Sequence, residues 1–172
     1  LARRLHNVVA VKLRSVRAPC PVNTVTSSQY FVVNFYDNTT ATGTPAHTYN
    51  VTGVPVISGE YNGEVWTGTQ LASYLKTAIE ALANFSTYVE STSPGVTYDV
   101  SKGQFALSYE VKATKSISIS RFTSSGTPIL EWASLLSLLG YVDGNAAYNF
   151  LDATQNTEYR SAQFLYQTSN DV

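Results

Sequence analysis

The chain has 172 residues and a net charge of −1, and charged residues make up 13% of it, about half the usual share of roughly 25%. That length suits one domain, the near-neutral balance excludes a global field that would steer the chain onto nucleic acid, and a single cysteine, Cys20, excludes an internal disulfide. A surface so poor in charge has to be satisfied by Ser, Thr, Asn, Gln and Tyr, a composition commoner in extracellular, fibrous or assembly-forming β proteins than in cytosolic enzymes.

The charge is unevenly spread. Arg3, Arg4, Lys12, Arg14 and Arg17 stand in the first 17 residues with no acid among them, while the rest of the chain carries six bases against 12 acids. A solvated basic extension over residues 1–7 is the plain reading. An arm that contacts an acidic partner or a nucleic acid phosphate is the sharper one, and it lacks the aromatic interleaving of a nucleic-acid motif. Residues 1–13 lack the continuous apolar run of a secretory leader, and no stretch approaches the roughly 18 apolar residues of a membrane span.

In chain order, Val8–Val22 opens with β-branched residues and then alternates. Val9, Val11 and Leu13 share one face while Lys12 and Arg14 share the other, the period-2 pattern of a half-buried strand. Pro19 and Pro21 end it or confine its tail to an edge. Gln29–Asp37, "QYFVVNFYD", is the strongest strand. Residues 38–46 read as a turn or loop, and "HTYNVTGVPVI" reads as a strand interrupted at Gly53 and Pro55.

A change of period follows. Thr67 and Gln70 form a capping-box pattern, and Leu71, Leu75, Ala78, Ile79 and Leu82 fall on one helical stripe. The spacing predicts an amphipathic helix over about 68–83, roughly four turns long, laid on a sheet. "YDVSKGQFALSY" then predicts a hairpin, with Val96, Tyr98 and Val100 alternating out and Phe105, Leu107 and Tyr109 alternating back. "KSISISRF" alternates again. Thr127 as N-cap and Pro128 at the first helical position predict a short buried helix over about 128–139, stopped by Gly140. The remainder, 143–172, reads as a polar and aromatic tail with one weak edge strand, "AQFLYQT".

The order of these parts resembles a pattern in minor capsid and penton-like structural proteins of large icosahedral double-stranded DNA viruses of the algal and giant-virus kind. There, a helix of the type T-x-x-x-L-A-x-x-L precedes a hairpin Y-D-x-x-x-G-x-F and an ending L-L-G-aromatic. This chain matches them with Thr67-Leu71-Ala72-Leu75, Tyr98-Asp99-Gly103-Phe105 and Leu138-Leu139-Gly140-Tyr141. Ser15-Val16-Arg17-Ala18-Pro19 approximates the family's upstream S-A-x-x-P segment. The matched region runs from about Val8 to Tyr141. It departs in the extra residues of "GVPVISGEYNGEVWT" and in the long tail. The resemblance implies a mainly β protein, a jelly-roll-like antiparallel β-sandwich over 8–142, that works in a virion capsid by binding other capsid proteins or its own copies.

Residues able to carry chemistry are sparse. His6 and His47 have no local motif of a nucleophile and an orienting acid. Cys20, between two prolines, reads as a small buried hydrophobe. Two His and one Cys do not build a closed zinc site, and Glu60 and Glu64 lack the ligand density of a calcium loop. No catalytic residue, cofactor, metal or small-molecule substrate is expected. The remaining feature is 12 tyrosines, which suit either strand packing or interfaces. Candidate interface residues are Arg3, Arg4, Arg14 and Arg17 at one end and Tyr148, Tyr159, Phe164 and Tyr166 at the other. A second reading, a tail or spike receptor-binding module, would stack carbohydrate on Trp66 and Tyr61. Against it, Trp66 just before the helix cap reads as a core anchor. Asn38, Asn50 and Asn84 begin N-x-Ser/Thr triplets, which chance supplies in a chain this rich in Ser and Thr.

Overall fold

A computed structural model describes residues 24–25, 28–53, 64–65, 67–141, 145–151 and 157–162. The protein is mainly β, and the described strands pair with one another in antiparallel fashion. Nine strands are described: β1 (Thr24–Val25), β2 (Tyr30–Tyr36), β3 (His47–Thr52), β4 (Glu64–Val65), β5 (Gly95–Asp99), β6 (Gln104–Ser108), β7 (Ser116–Ser120), β8 (Ala147–Phe150) and β9 (Glu158–Arg160). They form a four-stranded sheet in the order β3-β2-β7-β8, a three-stranded sheet in the order β5-β6-β9, and the short pair β1-β4.

The two larger sheets share one core, as in a β-sandwich. Phe31, Val33 and Phe35 of β2, Ile117 and Ile119 of β7, and Tyr148 and Phe150 of β8 line it from one sheet. Val96 of β5 with Phe105 and Leu107 of β6 line it from the other. Alternation along a strand sends these residues to one face. The opposite face of the four-stranded sheet is also covered. Val32 packs with Ile129 and Ala133, and Asn34, Ser116, Ser118 and Ser120 are buried.

The helix α1 (Gly68–Glu80) starts as the sequence dictates. Thr67 accepts from the Gln70 backbone N–H, and the Gln70 side chain accepts from the Thr67 N–H at 3.0 Å. Leu71, Ala72, Leu75 and Ile79 are buried against the shared core, and the half-buried Lys76 lies 3.8 Å from the exposed Glu80. The helix ends at Glu80, with Ala81 as C-cap. A single turn, α2 (Phe85–Tyr88), follows it, entered through Asn84 in the left-handed region at φ +68°.

The second predicted helix is corrected. The segment 128–139 holds a 3-10 turn (Glu131–Ala133) and one α turn, α3 (Leu135–Leu138). Pro128 instead bridges Phe122. Thr127 closes a loop with Thr123, whose N–H donates to the Thr127 carbonyl at 2.9 Å. Ser134 is extended, bridges Tyr30 and caps α3 by accepting from the Ser137 N–H. A leucine-rich segment thus breaks because its middle residue joins the sheet. Gly140, at φ +88°, stops it. Its N–H donates to Ser137 and the Tyr141 N–H to Leu136, the two hydrogen bonds of a Schellman ending.

The region read as a tail contributes β8 and β9, one at an edge of each larger sheet. The strand expected over Val8–Val22 lies outside the described residues, as does all but the first residue of "AQFLYQT". Among the described residues no helix is long and apolar enough to cross a membrane.

Candidate functional site

Charged and aromatic groups converge where the four-stranded sheet meets α2. Asp37 leaves β2, His47 begins β3, Tyr88 ends α2 and Lys115 precedes β7. The loop after β2 is tied down by its own polar side chains. Asn38 Oδ1 accepts from the Thr40 N–H at 3.0 Å, Ser116 Oγ donates to the Asn38 carbonyl at 2.6 Å, and the Ala41 N–H donates to Ser116 at 2.9 Å. This holds the Asp37 carboxylate over the sheet end. There it accepts from Tyr88 Oη at 2.9 Å and from Lys115 Nζ at 2.6 Å. Lys115 Nζ also lies 5.1 Å from the centre of the Tyr88 ring, within cation–π range. The Tyr88 ring stacks on Phe35 at 4.9 Å, and His47 meets it edge-on at 6.1 Å.

The electrostatics decide what this group does. Hydrogen bonds from Lys115 and then Tyr88 hold the Asp37 carboxyl below the usual carboxylate range. Burial first, and the bond to Asp37 second, push the Tyr88 hydroxyl up to about 12. The carboxylate therefore stays charged and the phenol keeps its proton at neutral pH. His47 thus stands near a carboxylate and a hydroxyl that no local motif announced, but the hydroxyl is spent as a donor to Asp37. A nucleophile needs the reverse, a hydroxyl that gives its proton to the histidine. The knot ties α2 to β2 and β7. Sequence reading singled out His47 alone here. Tyr88 lies 51 positions from Asp37, and Lys115 lies 78, so no local motif joins them.

A second convergence joins the three motifs that carried the resemblance. Thr67, Leu71, Ala72 and Leu75 cap and seat α1. Gly68 lies so close to the Tyr98 ring that a Cβ there would overlap it, and Tyr98 packs on Phe105 at 4.8 Å. Asp99 Oδ1 accepts from Ser101 Oγ at 2.6 Å and shapes the hairpin turn that Gly103 closes at φ +63°. Tyr141 Oη donates to the Phe105 and Tyr159 carbonyls at 3.2 and 3.1 Å. Helix, hairpin and Leu-Leu-Gly-Tyr ending therefore touch in one continuous line through the second sheet.

Of the candidate interface residues, Tyr148 is 1% exposed and stacks edge-on with Tyr141 and Tyr159 at 5.0 and 5.1 Å. It is corrected to a core residue, because its position in β8 points inward. Tyr159 is half-buried and donates to the Asn149 carbonyl at 2.9 Å, linking β9 to β8. Arg3, Arg4, Arg14, Arg17, Phe164 and Tyr166 lie outside the described residues, as do Tyr61 and Trp66 of the carbohydrate reading. Among the described residues no three His, Cys, Asp or Glu side chains are grouped to hold a metal. No family model, curated protein or solved structure matches the chain.

Proposed function

We propose that the chain is a virion structural protein, a minor capsid or penton-type building block that binds neighbouring capsid subunits, with a jelly-roll-like elaboration of its two antiparallel sheets. The observation that carries the reading is the mutual packing of Thr67–Leu75, Tyr98–Phe105 and Leu138–Tyr141. Three motifs separated in sequence touch one another in the fold, which supports reading their order as one structural unit. A charged share of only 13% suits broad contact with other polypeptides, whose contact cores are poor in charge. The Asp37 knot supports a non-catalytic reading, because its hydroxyl and carboxylate satisfy each other.

The test is localisation. An antibody raised against the purified chain is used on particles banded in a density gradient from the producing cells. Co-sedimentation with intact icosahedral particles, with immunogold label on their shells, is the expected result. A chain confined to the soluble fraction while particles band without it sinks the proposal.

A further inference from the structure

We propose that β3 is an open pairing edge, and that its partner is the same strand of a second copy of this chain. The inference concerns the isolated chain and stands or falls without the capsid reading. The Gly53 N–H donates to the Gln29 carbonyl at 3.1 Å, and the pairing register sets Phe31 against Val51 and Val33 against Tyr49. Hydrogen-bonded pairs alternate along an antiparallel ladder. His47, Tyr49 and Val51 therefore bond to β2, and the peptide groups of Thr48 and Asn50 point away from the sheet. Among the described residues β3 is the last strand on that side, and Asn50 is exposed.

Sheet edges are normally blunted by charge, proline or a cover. The other margins of the two larger sheets show such devices. β9 carries Glu158 and Arg160, which pair with each other while Arg160 also reaches Asp99. At the margin formed by β5, α1 lies so close that a Cβ on Gly95 would meet the Lys76 side chain and one on Gly68 would overlap the Tyr98 ring. On β8, the outward Asn149 carbonyl is taken by Tyr159. His47–Thr52 contains no Lys, Arg, Asp, Glu or Pro.

Self-complementarity selects the occupant. A two-fold axis at Tyr49 sets Thr48 of each copy against Asn50 of the other, so the four outward peptide groups satisfy one another. That arrangement is isologous. It places Tyr49 opposite Tyr49 in the closer, non-bonded kind of pair, where aromatic pairs add stability, and His47 opposite Val51, with no like charges facing.

The experiment is sedimentation velocity on the full chain over a concentration series. A reversible monomer–dimer equilibrium is expected. Asn50→Lys puts charge on the edge, and Asn50→Pro deletes an N–H that β2 does not use; each should weaken dimerisation more than about tenfold. Ser73→Lys, on the exposed side of α1, should leave it unchanged. Hydrogen exchange of the wild-type chain supplies a readout that does not depend on variants folding, since the Thr48 and Asn50 amides should slow as concentration rises. A monomer at every concentration, a dimer indifferent to both Asn50 changes, equal loss with Ser73→Lys, or no added protection at those two amides would each overturn the proposal.

Discussion

Tyr109 shows how a single polar atom sits badly in an otherwise satisfied interior. Its ring packs edge-on against Phe85 and Phe150 at 6.3 and 5.2 Å, yet its buried hydroxyl has no hydrogen-bond partner among the described residues, and burial raises its pKa. An orphaned buried donor costs about 1–3 kcal/mol. Tyr109→Phe keeps the ring and removes the orphan, so it should raise unfolding stability by about 1 kcal/mol, read from urea titrations with an unchanged slope. Asp37 presents the opposite case, an exposed charge with two good partners. Its folded pKa is lowered, chiefly by the Lys115 hydrogen bond and then by Tyr88. The unfolded chain therefore binds its proton first as pH falls. Its contribution is complete above the ordinary carboxylate pKa of about 4 and is lost as pH drops through the lower folded value. Asp37→Asn should flatten the acid limb of the stability profile below about pH 4 and leave its slope near neutrality unchanged; an unaltered acid limb would show that the pair with Lys115 is idle.

At the scale of elements, the helix is where local sequence and tertiary packing agree. Thr67 and Gln70 close their box, and Thr67→Ala should cost about 1 kcal/mol, measured by thermal unfolding. Gly68 separates propensity from packing. Ala is the better helix former, but its Cβ would displace the Tyr98 ring from Phe105. Overpacking costs about 1–3 kcal/mol and outweighs the gain, so Gly68→Ala should destabilise. A stabilised variant would mean that the ring swings out freely. The same comparison explains what was legible. The start of α1, the hairpin β5-β6 and the stop at Gly140 each rest on residues within a few positions of one another, so they could be read directly. The break at Ser134 could not, because the force that extends it comes from Tyr30, more than a hundred positions away. The Asp37 knot was hidden for the same reason: its partners are close only after β2, β7 and α2 have assembled.

For the whole molecule, the instructive misfit is "SISIS". Alternation of Ser and Ile reads as a strand with one wet face, yet Ser116, Ser118 and Ser120 are 0%, 3% and 6% exposed. Both faces of β2 and β7 are covered, one by the shared core and the other by a layer that includes Ile129 and Ala133. The buried hydroxyls are accommodated by local acceptors, as when Ser116 donates to Asn38 and Ser120 to Ala146. Period-2 patterning reports polarity and not exposure; serine is small enough to sit under a second layer once its hydroxyl is paired. A strand hydrogen-bonded on both sides and covered on both faces opens only when the whole fold opens. Native-state hydrogen exchange should therefore find the slowest amides at Val32, Asn34, Ile117 and Ile119, which lie in the pairings of β2 and β7 with each other or with β8. Exchange in β5 and β6 should be faster, because β5 ends at the exposed Val100 turn and β9 spans only three residues. If the β5-β6 amides outlast those of β2 and β7, the helix-backed sheet is the last part to unfold, and the four-stranded sheet is assembled on it rather than the reverse.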